Sequence, residues 1–347
     1  MGYYVGCDAH KRYSKFVVLD DDVKIYKEAR VEHSPGAIRN FLQTLPEPSP
    51  VAIEAMGNWY WIVDEIEASG SKPLLTHAAK AKLMMGQTNK TDKIDAKGLA
   101  VLLKAGTLPT VWIPPRELRD ERELHRSRMT LAKMRTALKN RVHATLAKYA
   151  ITVDEASDIF RGKGRRALGS GMVKLPTETR SCLEQSLEVL DDLQRQIEKI
   201  EGRIKQKVKM TQDMNLLKTL PGVGDILAII IEREMGTVDR FPDNERFAGY
   251  CGTVPKVKST GGRTSYGKLR PDVNRYLKWA FIEAANVVAM HQNTPSWQAL
   301  HVVGLYKRIR SRKGHQKAIG AVARHLSEAA FWMLKKHEPY NESKAKA

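Results

Sequence analysis

The order of short apolar segments and amphipathic stretches in the first 104 residues constrains the fold more than any other feature of the sequence. Three apolar segments follow one another through short polar turns, which predicts an antiparallel meander of three strands. Helical and strand patterns then alternate. The predicted elements are strands at 3–10, 14–20 and 24–32, a helix at 34–45, a strand at 50–57, a helix at 58–70, a strand at 72–76 and a helix from 91. This order predicts an α/β domain built on a mixed sheet.

Two of these helices have a recognisable N-terminal signal. Ser34, followed by Pro35, predicts an N-cap and a proline at the first helical position. Thr91 is the predicted N-cap of the last helix, which places Asp92 and Asp95 in its first turn, on one helical face.

Four carboxylates occupy positions where functional groups gather in open sheets, namely strand ends and helix starts. Asp8 lies in the first strand, Glu54 lies at the end of the fourth, and Asp92 and Asp95 begin the last helix. Acidic groups at apolar strand ends call for a partner cation, because an uncompensated buried charge is costly. The pattern predicts an RNase H-like site for Mg²⁺, with two ions and with Mn²⁺ as a substitute. The alternative is a solvated helix start of mixed charge, since Lys90, Lys93 and Lys97 lie nearby.

The charge balance indicates a polyanionic partner. The chain has 58 Lys and Arg against 39 Asp and Glu, a formal charge of +19, which favours nucleic acid. No secretory signal or membrane span is expected. The three cysteines are far apart and form no metal-binding pair, so a reducing cytoplasm is the expected compartment.

The middle of the chain reads as two long amphipathic helices, at 130–149 and 182–210, with apolar residues spaced by three and four. They predict an antiparallel hairpin or an oligomeric coiled coil. A plain scaffold and a dimerisation element are equally open. The basic, glycine-rich segment 160–176 between them is expected to be mobile.

The last part holds two candidate phosphate-binding segments. The turn "LPGVGD", with Gly222 and Gly224, is typical of a helix-hairpin-helix, whose backbone N–H groups approach a phosphate, or of a purely structural corner between helices. Residues 246–270 form a predicted loop rich in glycines, hydroxyls and cations, followed by a helix from Pro271. The predicted phosphate-binding cations of this loop are Lys256, Lys258, Arg263 and Lys268.

A hydroxyl in this loop could attack a phosphodiester, with the cations stabilising the anionic transition state. The alternative is a flexible loop that only grips phosphates. No nearby histidine offers a general base, so a metal ion from the carboxylate site would activate the hydroxyl.

Two further groups of residues are less informative. The histidines considered have no ligand spacing and receive no role: His10, His77, His291 and His315. Three aromatics could stack on bases, but at least two of them are expected to fill the interface between helix and sheet: Trp59, Tyr60 and Trp61.

These features predict three domains. Residues 1–112 form the α/β domain with the four carboxylates, 113–210 the helical coiled-coil or dimerisation region, and 211–347 a mainly helical C-terminal domain with the hydroxyl loop.

Five segments, taken in order, resemble the insertion sequence 110 family of transposases, the bridge-RNA-guided DNA recombinases related to the Piv invertases. The segments are "YVGCDAHK", "VAIEAMGNWYW", "NKTDKIDAKGLA", "LPGVGDILA" and "FAGYCGTVPKVKSTGGRTSYGKLRPDVNRYLKWAF". The resemblance covers nearly the whole chain. It implies a RuvC-like domain with a metal site of four carboxylates, which falls on Asp8, Glu54, Asp92 and Asp95.

The resemblance also implies a nucleophilic serine before a glycine, five positions after the proline of a G-x-x-P motif. Here the proline is Pro255, and the fifth position is Thr260, followed by Gly261. The serine lies one step earlier, at Ser259, so the sequence departs from the family pattern. Both hydroxyls therefore stay candidates, and a threonine nucleophile would be restricted by its β-branch.

The resemblance further implies the partners. A homo-oligomer, a dimer or a tetramer, would bring the carboxylates of one protomer to the hydroxyl loop of another. A structured guide RNA would pair with donor and target DNA, and the protein would hold the backbones. The alternatives are a RuvC-like junction nuclease that uses water, without a covalent intermediate, and a non-catalytic nucleic-acid-binding protein.

Overall fold

The computed structural model describes residues 2–86, 91–153 and 157–342. They fall into two units, residues 1–114 and 115–347, and each unit has a hydrophobic core of its own. The three-domain division stays a prediction.

A five-stranded mixed sheet forms the centre of the first unit. Its elements are β1 (Tyr4–Ala9), β2 (Tyr13–Leu19), β3 (Ile25–Glu32), α1 (Ala37–Leu42), β4 (Pro50–Glu54), α2 (Trp59–Ala68), β5 (Lys72–Thr76), α3 (Ala78–Met85) and α4 (Asp92–Lys104). The strand order is β3-β2-β1-β4-β5, antiparallel from β1 to β3 and parallel from β1 to β5. The predicted meander and mixed sheet are confirmed, and the order fits an RNase H-like fold. The short helix α3 was not predicted.

Helices cover both faces of this sheet. Val5 and Cys7 of β1 belong to the apolar cluster that includes α1 and α2, whereas Ala96 and Ala100 of α4 pack on the opposite face. Because side chains alternate along a strand, Asp8 follows Cys7 onto the α4 face. The strand pattern thus directs the first carboxylate toward the helix that carries two others.

Only one of the two predicted N-caps is present. Thr91 caps α4, since its Oγ1 accepts a hydrogen bond from the backbone N–H three residues later at 3.3 Å. The predicted helix start at Ser34 and Pro35 is wrong. Gly36 adopts φ 82°, and the Ala37 N–H donates to the Ser34 carbonyl at 3.1 Å, so a turn precedes the helix.

The second unit is mainly helical. Its elements are α5 (Arg116–Lys148), α6 (Gly162–Met172), α7 (Thr177–Lys207), α8 (Gln212–Leu217), α9 (Asp225–Met235), α10 (Asn244–Cys251), β6 (Pro255–Thr260), β7 (Arg263–Leu269), α11 (Arg275–Met290), α12 (Pro295–Gln298), α13 (His301–Lys313) and α14 (His315–Lys336). In the part of the chain that the structure describes, no helix combines the length and the apolar character needed to cross a bilayer.

The two long predicted helices pair with each other as an antiparallel hairpin of α5 and α7. The Arg128 guanidinium donates to Glu201 at 2.8 Å, and Arg135 donates to Gln194 at 2.6 Å. As the residue number rises on α5 it falls on α7, which is the mark of antiparallel pairing. The hairpin alternative is therefore the one that the chain adopts.

The expectation of a mobile segment at 160–176 is wrong, because most of it is α6. Leu168 and Met172 are buried with Val142 of α5 and Leu187 of α7. Burial of this apolar stripe stabilises a helix that its glycines alone would disfavour.

The loop predicted at 246–270 is wrong: its first residues belong to α10, and residues 255–269 form the two-stranded hairpin of β6 and β7. Gly261 and Gly262 form its turn, with φ 56° and 74°, the backbone conformation that tight hairpin turns require. The predicted helix start at Pro271 is also wrong. The helix α11 begins at Arg275 because the side chain of Asn274 accepts hydrogen bonds from its first N–H groups.

Candidate functional site

The four predicted carboxylates meet around one cavity of the first unit. Asp8 lies near the end of β1, Glu54 ends β4, and Asp92 and Asp95 lie in the first turn of α4. All four line a cavity of about 260 Å³. Three separate chain segments therefore supply acidic groups to a single space.

Strand register explains why two of these groups come together. The neighbouring strands β1 and β4 are parallel, with Cys7 paired to Ile53. Asp8 and Glu54 each follow one residue later, so both project from the same edge and the same face. The local sequence "GCD" and "AIE" therefore produces adjacent carboxylates once the strands pair.

Asp8 is in an environment that disfavours its negative charge. It is 6% exposed. Burial raises the pKa of its carboxyl group above the usual range, His10 opposes the shift, and Asp95, Asp92 and Glu54 reinforce it. A cation in the cavity would relieve this repulsion. Four hard oxygen donors on a half-buried surface fit a divalent cation.

Asp92 has the opposite character. The phenol of Tyr13 donates a hydrogen bond to Asp92 Oδ2 at 2.8 Å, and this bond lowers the pKa of the carboxyl group, with help from His10 and Arg30. The Arg30 guanidinium lies 3.7 Å from the centre of the Tyr13 ring. Asp92 is therefore held as an anion on the side of the cavity nearest β2.

His10 is a site residue that the sequence reasoning missed. Its Nε2 lies 3.2 Å from Asp8 Oδ2 and 3.2 Å from Asp92 Oδ2. The signal was present, because Asp8 and His10 are two positions apart in an extended segment, a spacing that places both side chains on one face. Tyr13 was missed as well, since its link to Asp92 spans 79 positions.

One cation, Lys82 of α3, also lines this cavity. It is exposed and lies beside a strongly acidic group of residues. Its ammonium group is available to a phosphate that approaches the carboxylates.

The two candidate nucleophiles lie on opposite faces of the β6–β7 hairpin. Ser259 pairs with Thr264 across the strands, and their hydroxyl oxygens are 3.3 Å apart. Thr260 is the next residue and pairs with Arg263. Because side chains alternate along a strand, a phosphate on one face can meet only one of the two hydroxyls.

The cations of the hairpin are divided unequally between these faces. The pairing and alternation place three on the Thr260 face: Lys256, Lys258 and Arg263. The Ser259 face holds two exposed apolar side chains, Val257 and Tyr266. Lys268 lies on β7 beside the register shift between Pro255 and Val257. The Thr260 face is therefore the more positive one.

The turn between α8 and α9 has a structural reason for its first glycine. Gly222 has φ 85°, and a Cβ there would lie 2.3 Å from the carbonyl oxygen of Ala284 in α11. Gly224 is exposed and immediately precedes α9. Close packing on α11 explains Gly222, and phosphate binding by Gly222 and Gly224 stays a prediction.

The aromatics after Glu54 serve mainly the core. Trp59 and Trp61 pack against the apolar cluster beneath α2, which confirms that at least two of the three fill this interface. The ring of Tyr60 meets that of Trp59 edge-on, with centroids 4.4 Å apart.

The strand order and the acidic cavity beside the central strand fit the RNase H-like class of phosphodiester-cleaving enzymes. Residues 214–302 match the model of the transposase IS116/IS110/IS902 family, and residues 5–151 match a DEDD-type transposase model of the IS110 group. The chain therefore belongs to the IS110 family of transposases and is an enzyme of this class.

Three curated relatives agree with this assignment. The chain is 26% identical to a probable family 20 transposase of Pseudomonas aeruginosa, over 82% of this chain and 83% of the relative. It is 24% identical to the transposase for insertion sequence element IS1111A of Coxiella burnetii, over 73% and 69%. It is also 24% identical to the transposase for insertion sequence element IS1328 of Yersinia enterocolitica, over 72% and 73%.

Proposed function

We propose that this chain is a Mg²⁺-dependent DNA recombinase that cleaves strands of its own element through a protein hydroxyl. The observation on which the proposal rests is the single cavity lined by Asp8, Glu54, Asp92 and Asp95. These carboxylates would hold the metal, with Mn²⁺ as a substitute for Mg²⁺. When bound, the metal supplies Lewis acidity for the scissile phosphate and lowers the pKa of the attacking hydroxyl.

The residues of the chain perform the remaining tasks. Lys82 lies at the cavity and would hold a non-bridging phosphate oxygen, which keeps the DNA in place despite the acidic groups. Tyr13 holds Asp92 in its anionic form by the 2.8 Å hydrogen bond. Lys82 thus binds the DNA backbone, and the carboxylates of the cavity face the reacting phosphorus.

Thr260 is the nucleophile that the hairpin geometry favours. It shares its face with Lys258 and Arg263, whose charges would stabilise the anionic transition state. The Thr260 Oγ1 loses its proton and bonds to phosphorus, the bond from phosphorus to the leaving strand oxygen breaks, and that oxygen takes up a proton. Ser259 is directed to the less cationic face and is the second candidate.

The assembly proposed is a homo-oligomer, a dimer or tetramer, in which the carboxylates of one protomer act with the hydroxyl hairpin of another. A structured guide RNA would select the DNA by base pairing, while the protein holds both backbones. The formal charge of +19 supports such backbone contacts.

Covalent trapping on DNA tests the mechanism. The substrate is DNA from both flanks of the gene, supplied with RNA transcribed from those flanks and with Mg²⁺. We expect a protein–DNA adduct with the native chain and with Thr260→Ser, and none with Thr260→Ala or Asp8→Asn. Loss of the adduct in Ser259→Ala alone would reassign the nucleophile.

The same assay separates the alternatives. Cleavage that survives both Ser259→Ala and Thr260→Ala would indicate a junction nuclease that uses water. Activity unaffected by Asp8→Asn would indicate a protein that only binds nucleic acid. Mixing Asp8→Asn protein with Thr260→Ala protein should restore part of the cleavage if two protomers share a site, and should restore none if each protomer acts alone.

A further inference from the structure

His10 occupies a position between two of the four carboxylates. Its Nε2 is 3.2 Å from an oxygen of Asp8 and 3.2 Å from an oxygen of Asp92. One ligand atom from each of the three residues lies within 4.8 Å of the other two. A single ion could therefore reach all three.

The imidazole is held in this position by its surroundings. The backbone of His10 is fixed on both sides, since its amide N–H donates to the Tyr13 carbonyl at 2.8 Å and its carbonyl accepts from Asn58 Nδ2 at 2.8 Å. The ring stacks on that of Tyr13, with centroids 4.6 Å apart. A ring fixed in this way loses little further rotational freedom when it binds a ligand.

We propose that His10 is a nitrogen ligand to a divalent ion that Asp8 and Asp92 also bind. This inference rests on the proposed function, because it concerns the same metal site. Imidazole suits borderline metals, whereas Mg²⁺ prefers oxygen ligands. The nitrogen would therefore raise the affinity of the site for Mn²⁺ relative to Mg²⁺. The rival account is that a protonated His10 acts as an internal cation for the two carboxylates and leaves when metal binds.

Mn²⁺ bound to the full chain distinguishes the two accounts without an activity assay. Pulsed electron paramagnetic resonance detects a ¹⁴N nucleus bound directly to Mn²⁺, and titration calorimetry measures both metals. We expect a nitrogen coupling in the native chain that is absent in His10→Gln. The matched control, His33→Gln, removes a histidine of the same unit that binds Ser14 instead.

The affinities for the two metals should respond differently to the loss of the imidazole. In His10→Gln the Kd for Mn²⁺ should rise by at least about tenfold, by analogy with losses at metal-site residues, while the Kd for Mg²⁺ changes little. If Mn²⁺ binds without nitrogen coupling, and if Asp8→Asn lowers the affinity for Mn²⁺, then His10 is not a metal ligand and the proposed function stands. Mn²⁺ binding that is indifferent to Asp8→Asn would contradict the metal site itself.

A second surface, independent of the cavity, lies at the end of α13. Six cations are concentrated there: Lys307, Arg308, Arg310, Arg312, Lys313 and Lys317. All six are exposed. The sequence has no Asp or Glu between Glu283 and Glu328, and within residues 2–86, 91–153 and 157–342 none of the six forms an ion pair with a carboxylate. This α13 basic surface is therefore positive without local compensation.

The surface is presented on a rigid element. Val302, Val303 and Tyr306 bury the first turns of α13 in the core of the second unit. The Tyr306 hydroxyl is 2.8 Å from His315 Nδ1, at the start of α14. The cations project from two helix ends that are linked to each other and to the core.

We infer that the α13 basic surface binds the phosphate backbone of a nucleic acid. Fixed cations without ion-pair partners release counterions from a polyanion at little cost in their own interactions. The alternative explanation is that the six cations only complement the C-terminal dipole of α13. That effect would involve the cations of the last turn, but neither Lys307 nor Lys317.

The test compares two triple variants of equal charge by fluorescence anisotropy. The first variant changes Lys307, Lys313 and Lys317 to Gln. The second changes Lys133, Lys199 and Lys205, which are exposed on the α5–α7 hairpin, to Gln. The probes are a 30-base-pair DNA duplex and an RNA duplex of the same sequence. The steepness of log K against log salt should fall by about 0.9 for each DNA phosphate that the protein no longer neutralises, and only in the first variant.

The two probes identify the source of the phosphates. Weaker binding of the DNA probe alone assigns the surface to the substrate, and weaker binding of the RNA probe alone assigns it to a guide. Equal weakening in the two variants on both probes would show an effect of net charge alone and would overturn the inference.

Discussion

Gly6 of β1 and Ala96 of α4 meet backbone to backbone: a Cβ on Gly6 would lie 1.9 Å from the Ala96 carbonyl oxygen. The helix that carries Asp92 and Asp95 thus rests directly on the strand that carries Asp8. Gly6→Ala should force α4 away from the sheet and cost about 1–3 kcal/mol. Urea unfolding measures the cost, and Mn²⁺ titration should show weaker binding. Gly57→Ala, where a Cβ would meet nothing within 4 Å, is the control.

Asp8→Asn should separate activity from stability. Because burial and neighbouring carboxylates raise the pKa of Asp8, its anion is unfavourable in the metal-free fold at neutral pH. We expect the variant to lose DNA cleavage while its Tm without metal stays equal or rises by about 1–3 °C. Calorimetry at pH 7 in chelator is the measurement. A marked fall in Tm would mean that the carboxylate stabilises the fold.

Glu234 should set the acid stability of the second unit. It is fully buried and accepts hydrogen bonds from Arg126 at 2.7 Å and from Asn274 at 2.9 Å. Burial alone would raise its pKa, but hydrogen bonds from His125 and Arg126 and the arginine charges lower that pKa to about 2. The stabilisation is therefore complete above the unfolded-state pKa of 4.5 and is lost as the pH falls from 4.5 toward 2.

Removing this charge should be costly. Glu234→Gln leaves buried guanidinium groups without their counter-charge, and we expect a loss of about 3–5 kcal/mol at pH 7. In this variant the free energy of unfolding should also fall less steeply as the pH drops below 4.5. Glu328→Gln, which breaks a half-buried pair with Arg324 on α14, should cost less than about 1 kcal/mol in the same denaturation series.

His325 should control stability in a separate pH window. Burial, followed by the nearby His301, lowers its pKa to about 4. The folded state therefore resists protonation, and stability falls as the pH drops from the unfolded value of 6.5 toward 4. We expect about 1–3 kcal/mol of this loss in the native chain. In His325→Gln the unfolding free energy should be flatter across that window; an unchanged slope would exclude His325 as the cause.

The hairpin turn should matter for catalysis and little for stability. Gly261 and Gly262 both have positive φ, and a Cβ at each costs about 1–2 kcal/mol locally. The hairpin is exposed, so the free energy of global unfolding should barely change in the variants Gly261→Ala and Gly262→Ala. Adduct formation on DNA should drop severalfold because Thr260 and Arg263 flank the turn. Gly304→Ala, in α13 with open space around it, is expected to retain adduct formation.

Much of the first unit was predictable from local patterns. Strand and helix periodicity, with Thr91 as an N-cap, produced the element order and located Asp8, Glu54, Asp92 and Asp95 at element ends. Such signals depend on residues a few positions apart, which a sequence displays directly. They failed at Ser34, where Gly36 at positive φ imposed a turn in place of the first helical residues.

Those local patterns could not predict contacts between residues that are far apart in the sequence. Segment 160–176 looks mobile by composition, yet Leu168 is fully buried against the α5–α7 hairpin. The glycines of 255–269 suggested a loop, and strand pairing showed instead that Ser259 and Thr260 face opposite ways. In both cases packing and pairing overrode local propensity.

The sequence by itself determined which acidic groups are available and at which element ends they stand, because strand and helix periodicities are local properties of the chain. The tertiary structure alone decided that these groups share one cavity, that His10 joins Asp8 and Asp92, and which hydroxyl shares a face with the cations. Those outcomes depend on strand register and on the close approach of α4 to β1 at Gly6, and both bring together residues that are far apart in the chain.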